Sequence, residues 1–164
     1  MALNAAVDVL LLVDHTESMA EPLAAIGGAM GDFWATLTGE GASVRLGVLT
    51  MDLEDPDHSG VMQAILDESS AAPALPAPTS TATETGLAAL IAALSEPLRS
   101  EANADFRRDG VPLSVVVFSD EDDDSDLDDA EVADWVADQG LTLHAMVEAR
   151  KPDGDCQTEP GGHY

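Results

Sequence analysis

The stretch from Val7 to Val13 constrains this chain more than any other. Apart from Asp8 it is unbroken aliphatic sequence, and it runs straight into Asp14. A strand with one wet face alternates apolar and polar residues, whereas one that is apolar throughout is buried on both faces, as in parallel sheets covered by helices. Leu113 to Phe118 repeats the pattern and ends in Ser119-Asp120. Val44 to Met51 and Leu141 to Val147 read as further strands, and Val61 to Leu66 as a short edge strand.

Helical spacing fills the intervals. Leu23, Ile26, Met30, Phe33, Trp34 and Leu37 fall on one face, with Pro22 suited to a first turn and Gly39 and Gly41 ending the helix. A second helix is expected from near Thr83, with Leu87, Leu90, Ile91, Leu94 and Leu98 as its apolar stripe. A third carries Val132, Trp135 and Val136. The Ala, Pro, Ser and Thr of Ser69 to Thr83 read as a loop. Strands alternating with helices predict an α/β fold: a mostly parallel central sheet with helices on both faces and the strand from Val7 in the middle. Ligands in such sheets sit beyond the carboxyl ends of the strands, where the strand order reverses. Asp14 and Asp120 both lie at such ends.

With 164 residues and 45% hydrophobic content, the chain suits one packed domain, expected over residues 1–150, followed by an irregular tail over 151–164. There are 32 Asp and Glu against 6 Lys and Arg, a net charge of -26. Such a surface repels phosphate backbones, so nucleic acid is not an expected partner. No apolar run reaches the ~20 residues of a membrane-spanning helix, and no membrane insertion by this chain is expected. Cys156 is the single cysteine, which excludes an intrachain disulfide and a cysteine-based zinc site. Met1-Ala2-Leu3-Asn4 leads almost directly into the first strand, so no signal segment is expected within this sequence. The location expected is therefore the cytoplasm for a complete chain, and the cell envelope or exterior for a fragment of an exported protein.

Three segments carry the candidate chemistry. Asp14-His15-Thr16-Glu17-Ser18-Met19 places a carboxylate and two hydroxyls at alternate positions in a strand-to-helix turn. Hard cations such as Mg2+ take oxygen ligands and keep several waters. A site with one acid and two neutral hydroxyls leaves such an ion electrophilic. The competing reading is a helix cap by Thr16 or Ser18. Thr81-Ala82-Thr83-Glu84-Thr85-Gly86 precedes an amphipathic helix, where a cap is again the simpler alternative. The third segment is the buried strand that delivers Asp120.

Taken in order, these segments resemble the metal-ion-dependent adhesion site of the von Willebrand factor A family, in particular its bacterial exported and lipoprotein-type members. Asp14, Thr16 and Ser18 match the family's Asp-x-Ser-x-Ser, with Thr preserving the first hydroxyl. Thr83-Glu84-Thr85-Gly86 matches its Thr-x-Thr-Gly, with Thr81 as a second candidate for the ligand, and Asp120 matches the final acid. The resemblance covers about Ala6 to Val147. It implies a Rossmann-like fold and a metal site of Asp14, Thr16, Ser18, Thr83 and Asp120. It further implies Mg2+, or else Mn2+ or Ca2+, and a protein or peptide partner offering a carboxylate to the metal, without catalysis. Glu17 stands where the family has Gly, which puts the turn's geometry in question. Members continue with a further strand and helix, so Cys156 is open to being half of a disulfide whose partner lies beyond Tyr164.

Two rivals remain open at this stage. Asp120, Asp122, Asp124, Asp126, Asp128 and Glu131 fit the spacing of a calcium-binding loop, with Leu127 at its apolar position, but Ser125 replaces the required Gly and a strand precedes the loop. Asp14 after a buried strand also fits a phosphoryl-transferring aspartate, yet Thr16 occupies the place of the second acid. No phosphate loop or nucleophile elbow is present. An acidic structural domain with a degenerate metal site is the remaining alternative.

Overall fold

The computed structural model describes residues 6–39, 41–55, 58–79 and 82–147; Thr81, Cys156, His163 and the expected tail 151–164 lie outside the described residues. The chain forms β1 (Ala6–Val13), a 3-10 turn (Glu17–Met19), α1 (Ala20–Gly39), β2 (Ser43–Thr50) and β3 (Ala64–Asp67). It continues with α2 (Gly86–Leu94), β4 (Leu113–Ser119), α3 (Asp129–Gln139) and β5 (Leu141–Val147). The strands lie in the order β3-β2-β1-β4-β5, with β3 antiparallel and the rest parallel. The expected α/β architecture is present, with β1 at its centre.

The pleat of β1 divides its side chains between two cores. Leu10 and Leu12 join Val115 and Val117 beneath Leu90 and Leu94 of α2 and Trp135 and Val136 of α3. Val9, Leu11 and Val13 face Leu23, Met30 and Trp34 of α1 on the other side. Each such aliphatic side chain contributes about 1.5–3 kcal/mol by leaving water, which is why a strand apolar on both faces needs helices on both.

Three features depart from the reading of the sequence or were missed by it. α2 ends at Leu94, and Leu98 falls in the turns that follow. Pro97 lacks the amide a helix needs and biases Glu96 away from helical geometry. Leu98 packs instead on Gly60, where an added Cβ would lie 2.9 Å from Leu98 Cδ1. Phe106 is fully buried among irregular turns; it fits because Gly47 in β2 leaves room, an added Cβ there lying 3.1 Å from Phe106 Cδ2 and 2.8 Å from Met62 Sδ. Asn103 is buried as well. Its Oδ1 accepts from Met62 N at 3.0 Å, and its Nδ2 donates to Gly60 O at 2.9 Å and Ala93 O at 3.0 Å, tying the loop before β3 and the end of α2 to the turns around Asn103.

Asp8, inside β1, is fully buried. Its Oδ1 accepts from Arg108 Nε at 2.7 Å, and its Oδ2 accepts from Arg108 N at 2.9 Å and Arg107 Nη1 at 3.5 Å. Arg108 goes on to donate to Ser43 Oγ, Ser43 O and Val7 O at 2.8–3.0 Å. This network closes the amino-terminal ends of β1 and β2, at the opposite end of the sheet from Asp14.

β5 is the least covered strand, with Leu143, Met146 and Val147 exposed. A small apolar groove of about 230 Å3 runs between Ile26 and Phe33 of α1, Val116 and Phe118 of β4, and Met146.

Candidate metal centre

The chain leaves β1 for β2 on one side and returns to β4 on the other, so the strand order reverses between β1 and β4. In open α/β sheets a crevice is expected at such a reversal, beyond the carboxyl ends of the two strands. Asp14 N donates to Phe118 O at 2.9 Å, which locks the two strand ends together and brings the segments after them side by side.

A ladder of oxygens rises from these strand ends. Asp14, almost fully buried, accepts from Thr16 N at 2.8 Å through Oδ1 and from Ser119 Oγ at 2.9 Å through Oδ2. Thr16 Oγ1 lies 2.8 Å from Ser18 Oγ, and Ser18 Oγ donates to Asp120 Oδ1 at 3.2 Å. A serine hydroxyl has one proton, so Thr16 is the donor in the first of these bonds and Ser18 in the second. Four of the five residues expected at the site, Asp14, Thr16, Ser18 and Asp120, are thereby linked. The ladder runs from the buried carboxylate to the exposed Ser18.

The alternative reading of these hydroxyls as helix caps does not hold. Thr16 sits at the N-cap of the 3-10 turn with φ -63° and ψ 163°, but its side chain makes no capping bond. Thr85, at the N-cap of α2, makes none either; its hydroxyl donates to Met51 O at 2.9 Å and accepts from Leu53 N at 3.4 Å. The cap of α2 comes from far along the chain. Asp123 Oδ2 accepts from Leu87 N at 2.8 Å and Ser125 Oγ from Ala88 N at 3.0 Å. Gly86 makes this approach possible, since a Cβ there would stand 3.2 Å from Asp123 Oδ2 and 3.0 Å from Met51 Sδ. Glu17 brings no distortion: among the described residues no non-glycine residue has positive φ, and its side chain is exposed.

Thr83 is held differently. Its hydroxyl donates to Asp52 Oδ1 at 2.8 Å, an oxygen that also accepts from Glu54 N at 2.8 Å and Asp55 N at 3.2 Å. Asp52 follows β2, the neighbour of β1, and nothing in its local sequence marks it as the partner of Thr83. The Thr83 segment still reaches the same end of the sheet. Burial pushes the neighbouring Glu84 carboxyl up to about 7, helped by the charge of Glu121, a hydrogen bond with it, and the charges of Asp14 and Asp124. His15 is lowered, chiefly by burial, against the opposing pull of Asp52 and Asp14.

Two acids of the segment after Asp120 serve as helix caps. Besides Asp123, Asp128 Oδ1 accepts from Ala130 N at 2.9 Å and Glu131 N at 3.1 Å at the start of α3. Leu127, at the apolar position of the calcium-loop pattern, is exposed. One Asp122 oxygen is buried without a hydrogen-bond partner.

Among the described residues no three His, Cys, Asp or Glu side chains are grouped to hold a metal ion. The ladder offers two carboxylates and two hydroxyls, a donor set of oxygen alone that fits a hard cation better than zinc. Among the described residues, too, no helix is long and apolar enough to cross a membrane.

No family model and no curated protein matches the chain. Among solved structures, it is similar to two crystal forms of proximal thread matrix protein 1 from the mussel byssus. One aligns with a TM-score of 0.51 at 13% identity over 88% of this chain, the other with 0.50 at 12% over 88%. The chain spans 38% and 37% of the length of those proteins. At such identity the likeness extends to the fold alone.

Proposed function

We propose that the chain is a von Willebrand factor A-type domain that binds one divalent cation, Mg2+ in the first instance, and through it a carboxylate of a protein or peptide partner. The observation that carries this reading is the Asp14–Thr16–Ser18–Asp120 oxygen ladder at the reversal of strand order. Asp14 and Asp120 would supply the charge, and Thr16 and Ser18 the neutral oxygens. The bound ion would supply an electrophilic point that a partner's carboxylate completes. The protein's own contribution is placement. Ser119 and the Thr16 amide orient Asp14, and the burial of Asp14 fixes the inner end of the ladder while Ser18 leaves the outer end open to a partner.

Thr83 completes the proposed set only by exchanging its bond to Asp52 for one to the ion. That engagement is also what an acidic structural domain with a degenerate site would show, so the degenerate site is the second reading. Binding without catalysis is the function proposed.

The test is partner capture with and without EDTA, repeated with Asp120→Ala and with circular dichroism to verify folding. Capture should be lost under both treatments, and it should also fall when the partner's carboxylates are amidated. Capture that survives EDTA and Asp120→Ala would refute the proposal.

A further inference from the structure

Beside the ladder, on the far side of His15, lies a cavity of about 960 Å3 between the ends of β2 and β3 and the Ala- and Pro-rich loop at 71–79. The loop is fastened to the ladder segment, with Thr79 N donating to His15 O at 2.8 Å, and at its other end to α1, with Trp34 Nε1 donating to Ser70 O at 3.0 Å. Its volume is at the upper end of the ~300–1,000 Å3 that ligand pockets span, more than one side chain fills.

Two polar atoms of its lining lack partners. His15 is only 6% exposed and its Nδ1 is buried without a hydrogen bond. Gln63 Oε1 is buried and unbonded too, while its Nε2 donates to Val61 O at 2.8 Å and Thr50 Oγ1 at 3.4 Å. A buried polar atom without a partner costs about 1–3 kcal/mol, and the Gln63 oxygen can be satisfied only by a donor. Among the described residues the lining carries Asp52, Glu54 and Asp55 and no lysine or arginine, while Val48, Leu66 and Leu75 supply apolar wall. His58 sits beside Asp55, with Nδ1 2.7 Å from its Oδ2.

We propose that this cavity receives a basic side chain, arginine foremost, of a polypeptide segment. An aliphatic stem suits the apolar wall, and a guanidinium offers five N–H donors to the acids and, once the Gln63 side chain turns toward the cavity, to its oxygen. The site does not require the cation. Where the metal reading also holds, the two sites flank His15, and a partner with an acidic and a basic side chain a few residues apart would engage both.

The test is a two-dimensional amide NMR titration in EDTA and 150 mM NaCl with acetyl-Gly-Arg-Gly-amide, against the same peptide carrying citrulline, which keeps the shape and loses the charge. EDTA separates this outcome from that of the metal site. Saturable shifts confined to residues 48–66 and 71–79 are expected, with affinity about tenfold weaker for citrulline and similarly reduced by Gln63→Leu and Asp55→Asn. Equal binding of arginine and citrulline peptides would overturn the proposal, as would shifts that never saturate and spread over the acidic surface. Acetylated agmatine binding as tightly as the peptide would overturn the assignment to a polypeptide. The citrulline comparison uses the unaltered chain, so it decides the matter even if a variant fails to fold.

Discussion

Replacing Arg108 with Met should be among the most damaging single changes in the molecule, although the position is far from the candidate site. The guanidinium makes four hydrogen bonds, one to Asp8 and three to Ser43 and Val7. Its side chain is 20% exposed and that of Asp8 0%. Removing one partner of a buried ion pair costs about 3–5 kcal/mol, because the remaining charge is left in a poor solvent. Here Arg108 N and Arg107 Nη1 still reach Asp8, so the lower end, about 3 kcal/mol, is expected. For a domain of this size that corresponds to a fall in melting temperature of roughly 6–12 °C. Arg108→Lys should recover only part of it, since an ammonium cannot reproduce the fork that joins Asp8, Ser43 and Val7. The paired change Asp8→Leu with Arg108→Met should recover more than either single change, because no charge is left stranded. Urea unfolding followed by circular dichroism measures all four proteins. A loss below about 1 kcal/mol for Arg108→Met, a value typical of exposed pairs, would refute the reasoning.

Other consequences concern the elements around the site. Asn103→Leu removes three bonds that join the loop at Gly60 and Met62 to Ala93 of α2, and a loss of about 2–4 kcal/mol in urea unfolding is expected. Gly86→Val drives a side chain against Met51 and Asp123, which should cost about 1–3 kcal/mol and loosen the cap of α2, read as faster amide exchange at Leu87 and Ala88. Glu84 is raised from 4.5 to about 7 in the folded chain. Between those values the folded state holds more protons than the unfolded one, so its contribution to stability is full below about 4.5 and declines as pH rises through 7. In EDTA, Glu84→Gln should therefore lessen the fall in urea midpoint between pH 5 and pH 8, and an unchanged fall would contradict this.

What the sequence revealed follows from the range over which its signals act. Strands apolar on both faces announce themselves within seven residues, and so the sheet, the central place of β1 and the carboxyl-end positions of Asp14 and Asp120 were legible. Pro97 carries a local signal that outweighs the helical spacing of Leu98 and ends α2 before it. The remaining features depend on partners distant in the chain. Asp123 capping α2, Asn103 joining α2 to the loop at Gly60, and Asp52 holding Thr83 join residues 10 to 43 positions apart. The Asp8–Arg108 pair spans 100. An acid inside an otherwise aliphatic strand was the available clue to that pair, and it signalled a buried partner without saying which.

The central claim is tested most directly by the dependence of the melting temperature on Mg2+. A ligand that binds only the folded state at about 100 times its dissociation constant stabilises by about 2.7 kcal/mol. With a dissociation constant on the order of 0.1 mM, as in weak divalent sites, 10 mM MgCl2 should raise the midpoint by roughly 5–10 °C for a domain of this size. NaCl of matched ionic strength is the reference, since screening a net charge of -26 stabilises the chain by itself. Asp14→Asn keeps an oxygen for Thr16 N and places an amide N–H toward Ser119 Oγ, whose proton can turn to Glu121 O, while removing the charge at the base of the ladder. The account predicts that the rise above the NaCl reference disappears in Asp14→Asn; a rise of the same size in both proteins would contradict it.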